Sequence, residues 1–117
     1  MTPTAAEPRL QFATRSIERH IGETVADAVC TTSNALTEYY DGGLRAQTKE
    51  RFGDLIARLY SLRQYTAGYL SFNDTAEHYG KIALRERLGS DASEAALHEM
   101  ISWLLDVLAR VVKKLLN

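Results

Sequence analysis

The placement of proline is the feature that most constrains the fold of this chain. Both prolines, Pro3 and Pro8, lie in the first eight residues, so no proline interrupts a helix after that point. Over residues 9–117 apolar side chains recur at steps of three and four, and no stretch of useful length alternates with period two. These patterns predict an all-α fold: a compact bundle of about four helices, three long and one short, in a single domain 9–117 that follows a flexible tail at 1–8.

Glycines divide the first half of the chain into two long helices. The first helix is predicted from Arg9 to Tyr40, where Asp41-Gly42-Gly43 ends it, and the second from Leu44 to about Leu70. Their apolar faces are predicted from residues at helical spacing: Leu10, Ile17, Ile21, Val25, Ala28, Ala35, Leu36 and Tyr39 in the first helix, and Leu44, Phe52, Leu55, Ile56, Leu59, Leu62 and Tyr69 in the second. Each segment is therefore expected to bury one face in a shared core.

The short helix is predicted from its capping residues. Asn73 or Asp74 is expected to cap its N-terminus, and the helix is expected to run to Leu88, with Gly89 after its end. Gly80 lies inside it, where glycine costs roughly 1 kcal/mol against alanine. That cost indicates either a close helix contact or a segment that is locally soft.

The last helix is predicted to open at Ser90 or Asp91, and it has more apolar surface than one buried face requires. The apolar residues that cover most of its circumference are Met100, Ile101, Trp103, Leu104, Leu105, Val107, Leu108, Val111, Val112, Leu115 and Leu116. A helix at the surface of a small bundle needs an apolar arc of little more than about 100°. Two explanations stay open: a central helix covered by the other three, or an interface with a second copy in a helical dimer or with another protein. In the second case Trp103, Val107 and Val111 are predicted to contact the partner.

Tyrosines give a second indication of a binding surface. The chain has six, near the ends of the first two helices and in the short helix: Tyr39, Tyr40, Tyr60, Tyr65, Tyr69 and Tyr79. An aromatic ring with a polar tip suits an interface and the edge of a core equally well. Tyr65 and Tyr69 are predicted as further contact residues.

A metal- or small-ligand-binding bundle is an alternative function. Di-iron sites in helical bundles use inward glutamates together with Glu-x-x-His pairs, and this sequence has no such pair. It has two other pairs, His20 with Glu23 and Glu94 with His98, of a kind that on a helix surface gives only weak stabilisation. No metal site and no cofactor are predicted, and these four side chains are the candidates that the alternative would use.

A weak nucleic-acid binder is a further alternative. A mild basic stripe is predicted on the second helix, formed by Arg45, Lys49, Arg51 and Arg58. Glu50 and Asp54 interrupt it, and the formal net charge of the chain is −1. This density of positive charge is far below that of typical phosphate-binding surfaces, so a nucleic-acid partner is not favoured.

The remaining features argue against catalysis. The single cysteine, Cys30, lies in mid-helix, away from any helix N-terminus that would activate its thiol. No glycine-rich loop joins a strand to a helix, which excludes nucleotide binding of the Rossmann or P-loop kind.

The first residues lack the apolar segment of a secretory signal, and charged residues interrupt the apolar stretch 100–116, so a cytoplasmic protein without a membrane span is expected. The leading prediction is a non-enzymatic interaction protein of adaptor, chaperone, immunity or inhibitor type, whose partner is another protein, a second copy, or both.

Overall fold

The computed structural model describes residues 6–43 and 45–116 and, among their side chains, those of 15–38, 40–43 and 45–115. The described chain forms four helices: α1 (Ala6–Asp41), α2 (Ala46–Thr66), α3 (Phe72–Leu88) and α4 (Glu94–Leu116). The predicted all-α bundle of three long helices and one short one is confirmed. Over these residues, no helix combines the length and the apolarity that crossing a bilayer requires.

Helix α1 begins earlier than the sequence predicted. Its first residue is Ala6 rather than Arg9, and its 36 residues give it a length of about 54 Å at 1.5 Å per residue. Residues 1–5 of the predicted tail lie outside the described residues. So do Leu44 and, among the predicted apolar faces, the side chains of Leu10, Tyr39 and Leu116.

Helix α1 packs more extensively than any other helix of the described chain, and its largest contact is with α3. The close approach of these two helices occurs where each has a glycine. A Cβ atom built on Gly22 would lie 2.6 Å from the backbone of Tyr79, and one built on Gly80 would lie 2.9 Å from Val25 Cγ1 and 3.2 Å from Ile101 Cδ1. Of the two explanations offered for Gly80, the close helix contact is therefore correct.

The apolar faces predicted for α1 and α2 largely form the core. Ile21, Val25 and Ala28 of α1 are buried, as are the α2 residues Leu55, Ile56 and Leu59. Leu36 was predicted on the same face of α1, but 55% of its surface is exposed. The prediction was wrong for Leu36 because the neighbouring helices cover the middle turns of α1, from Ile21 to Thr31, and leave the Leu36 side chain uncovered.

The ends of α2 and α3 correct two predicted boundaries. Helix α2 ends at Thr66 rather than near Leu70, and the turn that follows contains Gly68 with φ +94°, a conformation that favours glycine. Helix α3 begins at Phe72, and Ser71 is its N-cap, accepting a hydrogen bond from the backbone N–H of Asp74 at 3.4 Å. The two predicted caps, Asn73 and Asp74, lie inside the helix.

Helix α4 begins at Glu94, later than predicted. The Oγ atom of Ser93 accepts a hydrogen bond from the backbone N–H of Ala96 at 3.1 Å, so Ser93 acts as the cap in place of Ser90 or Asp91. Gly89 ends α3 as predicted, with φ +93°. Residues 90–93 therefore belong to the connection between α3 and α4.

Helix α4 lies at the edge of the bundle. It packs mainly against α3, and less against α1 and α2. One face is buried and contains Leu97, Ile101, Leu104, Leu108 and Val112. Met100, Trp103 and Leu115 are exposed. Helix α4 therefore contacts all three other helices, but this packing leaves part of its apolar surface uncovered.

Candidate partner-binding surface

The uncovered side of α4 borders a groove that it shares with the second half of α1. This α1–α4 groove has a volume of about 470 Å³. The residues that line it are Val29, Thr32, Ser33 and Leu36 from α1, and Glu99, Met100 and Trp103 from α4. Both walls are helical, so their backbone groups are hydrogen-bonded within the helices and the side chains decide what the groove can bind.

Three large apolar side chains around the groove are exposed. The exposed fraction is 55% for Leu36, 37% for Met100 and 47% for Trp103, while Val29 beneath them is buried. Full burial of a large apolar side chain contributes about 1.5–3 kcal/mol. Covering this groove would therefore supply substantial binding energy.

The two hydroxyl groups in the groove wall already have hydrogen-bond partners. Thr32 Oγ1 donates to the carbonyl oxygen of Ala28 at 2.9 Å, and Ser33 Oγ donates to that of Val29 at 3.4 Å. Each bond stays within α1, from one turn to the previous one. The α1 wall consequently presents mainly apolar atoms to a ligand.

The predicted contact residues on α4 lie on one side of the helix. Trp103 lines the groove, and Val107 and Val111 follow it at steps of four residues, half-buried and packed against the core. Residues four apart on a helix are neighbours. Met100, Trp103, Val107 and Val111 together form a continuous surface, which is called here the α4 stripe.

The predicted tyrosine pair lies elsewhere. Tyr65 is near the end of α2 and Tyr69 is in the turn after it, and their rings pack edge to face with centroids 6.4 Å apart. Both are exposed, and neither lines the α1–α4 groove. Partial burial and the neighbouring Tyr65 raise the pKa of Tyr69.

The four candidate metal ligands do not come together. Glu94 pairs with Lys81 and Arg85 of α3, and the Arg85 bond holds the pKa of Glu94 below its ordinary value. Glu23 pairs with Arg87 at 2.9 Å, and His20 is exposed on α1. Among the described residues, no group of three or more potential ligands is placed to hold a metal ion.

The fourth of those candidates, His98, lies in a row with Glu77 and Ser102. His98 Nδ1 contacts the Glu77 carboxylate, which lowers the pKa of Glu77, and Ser102 Oγ lies 3.5 Å from His98 Nε2. The order resembles a nucleophile, a base and an acid. However, the Ser102 contact is at the outer limit of a hydrogen bond, and the backbone N–H groups around it point along α4 instead of forming an oxyanion hole. The row is best explained as a polar contact that joins α3 to α4.

The basic stripe predicted on α2 is exposed and diluted by acidic residues. Arg45 precedes the helix and lies 3.8 Å from Glu38 of α1. Arg51 and Arg58 line a shallow surface pocket together with Glu50 and Asp54. This mixture of charges gives no continuous positive surface along α2.

Comparison with known proteins identifies no family for this chain. No family model, no curated protein and no solved structure matches the chain.

The sequence selected Trp103, which is exposed at the groove, but it did not select the other residues that line the groove. The sequence pattern gives Met100 no role beyond the apolar surface of the last helix and places Leu36 in the core, whereas both side chains line the groove. Their amino-acid types and helical phases were evident from the sequence. What it could not give is the crossing of α1 and α4, which brings the two side chains to one groove.

Proposed function

We propose that this protein is a non-enzymatic interaction module, of the adaptor, chaperone, immunity or inhibitor type, that binds a helix of a partner protein in the α1–α4 groove. The observation that carries the proposal is the exposure of Leu36, Met100 and Trp103 around a single groove. Clustered exposed apolar side chains are typical of interaction sites, whereas isolated ones are ordinary.

The chemistry of the groove favours a helix as the ligand. An extended peptide binds by main-chain hydrogen bonds to exposed backbone, but both walls of this groove are helices whose backbone groups are already bonded. A helix satisfies its own backbone and needs only apolar anchors at positions i, i+3 or i+4, and i+7. The apolar walls and the single acidic side chain of Glu99 match an amphipathic helix.

Trp103 is the expected energetic anchor of the site. Tryptophan is enriched among the residues that dominate binding energy at interfaces, because its large rigid ring buries much surface at little entropic cost. Tyr65 and Tyr69 are proposed as a second, separate contact surface, since their exposed rings are held together by edge-to-face packing.

Site-specific photo-crosslinking in cells tests the proposal. A photoreactive residue replaces Leu36 or Met100 in the groove or, as the matched control, Ile82 of α3, which is 48% exposed and lies outside the groove. We expect a discrete crosslinked species from both groove positions, none from position 82, and loss of the species on adding Trp103→Ala. Equal crosslinking from all three positions, or an unchanged species in the Trp103→Ala background, would show that the groove is not a binding site.

A further inference from the structure

We infer that the helix bound in the α1–α4 groove is α4 of a second copy of this chain, antiparallel to the first. The inference depends on the proposed function, because it names the partner that the groove binds. It is carried by the positions of apolar and charged residues along α4.

The α4 stripe is self-complementary when reversed. At about 100° per residue, its four apolar residues fall within an arc of about 80°. If two α4 helices pack through their stripes in an antiparallel orientation, about a two-fold axis at the level of Leu105, Trp103 of one copy faces Val107 of the other, and Met100 faces Val111. Both pairs fit one axis because the midpoint of each pair lies at or next to Leu105. An interface of this kind uses the same surface twice and closes on itself.

The charges beside the α4 stripe obey the same symmetry. Glu99 and Arg110 lie on the same flank of the stripe, and their midpoint is also next to Leu105, so Glu99 of one copy faces Arg110 of the other. Among the described side chains, neither forms an ion pair within the chain. Glu94 and His98, on the side of α4 that faces α3, are paired there. Asp106, Lys113 and Lys114 of α4 also form no ion pair among the described side chains, but Glu99 and Arg110 are the two that lie beside the α4 stripe and that a second copy would neutralise.

The same charges favour the antiparallel orientation over a parallel one. In a parallel two-fold pair the charged flanks of the two copies would lie on opposite sides of the interface, so Glu99 and Arg110 would not face each other, and the two helix dipoles would be aligned. The antiparallel pair opposes the dipoles and sets the acidic first half of α4 beside its basic last turn, which contains Lys113 and Lys114. Both α1–α4 grooves of the dimer would then be covered by the apolar residues of the opposite α4.

Sedimentation analysis of the full chain over a range of concentrations tests the inference. We expect a monomer–dimer equilibrium that Trp103→Ala weakens at least about thirtyfold, the loss typical of a central anchor. Ile82→Ala, which removes a similarly exposed apolar side chain from α3, should leave the equilibrium unchanged. Circular dichroism of each variant checks that the fold is retained.

Charge reversal tests the pairing itself. Glu99→Arg and Arg110→Glu should each weaken the dimer about tenfold, because each change replaces two symmetry-related attractions by repulsions. The double variant should restore the affinity, because it exchanges the signs of both partners. A dimer that both single variants weaken but the double variant does not restore would overturn the antiparallel pairing.

Two outcomes separate this inference from the proposed function. A chain that stays monomeric at every concentration overturns the second copy as the partner, while crosslinks from positions 36 and 100 to a different protein would still support the groove as a binding site. A dimer that is indifferent to Trp103→Ala also overturns the inference, since its interface would then lie elsewhere.

Discussion

Replacing Gly22 with alanine tests the contact that organises the bundle. A Cβ atom at this position would lie 2.6 Å from the carbonyl carbon, the carbonyl oxygen and the Cβ atom of Tyr79. Ordinary van der Waals contacts are about 0.8 Å longer or more. Two of the three atoms belong to the α3 backbone and cannot rotate away, so α3 itself must move from α1.

Two opposing effects determine how much Gly22→Ala changes the free energy of unfolding. Overpacking a well-filled core costs about 1–3 kcal/mol, and contact with backbone atoms places Gly22→Ala at the upper end. Alanine in a helix interior recovers about 1 kcal/mol of helix propensity. We therefore expect a net loss of about 2 kcal/mol in the free energy of unfolding, which corresponds to a melting temperature lower by roughly 8 °C.

Urea denaturation followed by far-ultraviolet circular dichroism measures this loss, and two other glycines calibrate it. Gly53 lies inside α2 with nothing within 4 Å of a built Cβ atom, so Gly53→Ala should stabilise the protein by about 1 kcal/mol. Gly80→Ala should fall between the two, because its contacts are side-chain atoms of Val25 and Ile101, which can shift. If Gly22→Ala were as stable as Gly53→Ala, the close α1–α3 contact would be refuted.

Three further predictions concern the cap, the core and acid stability. Ser71→Ala should lower the free energy of unfolding by about 1 kcal/mol in urea denaturation, because it removes the acceptor that caps α3. Leu84→Ala should cost about 2–5 kcal/mol in the same assay because Leu84 is fully buried, whereas Leu36→Ala should have little effect on stability, and an equal loss for both would contradict the exposure of Leu36. Bonds from basic side chains of α3 hold the pKa of Glu94 below its ordinary value of 4.5, so its ionised form stabilises the fold above pH 4.5 and the contribution is lost as the pH falls through the lowered pKa. In acid titrations of stability Glu94→Gln should therefore reduce this loss, while Glu86→Gln, which removes none of the ion pairs seen in the described chain, should not.

Most of the fold was predictable because its signals are local. Proline placement and apolar periodicity act within a few turns, and they gave the right number, type and order of helices. The caps were harder, because Ser71, Asn73 and Asp74 are all good N-cap residues within four positions. Only the backbone conformation of Ser71, with φ −82° and ψ 109°, shows which of them precedes the first helical turn.

The binding surface was predictable only in part, for a physical reason. Periodicity measures how wide the apolar arc of a helix is, but not how much of it the neighbours cover. The width of the arc on α4 correctly singled out Trp103 as a residue in excess of one buried face. Coverage depends on how helices cross, and that is why the exposure of Leu36 could not be read from its helical phase.

The glycine contact and the exposed groove are consequences of one packing arrangement. Glycines on both α1 and α3 let these helices approach closely, and this contact takes up much of the buried face of α1. Helix α4 then packs mainly on α3 and meets α1 near Val29 and Leu36, so only part of its wide apolar arc is covered by the chain. The Met100 and Trp103 side chains stay exposed. Folding does not require an apolar residue at either position, since a polar side chain there would leave the buried core undisturbed. The helix proposed to bind in the groove would cover both side chains.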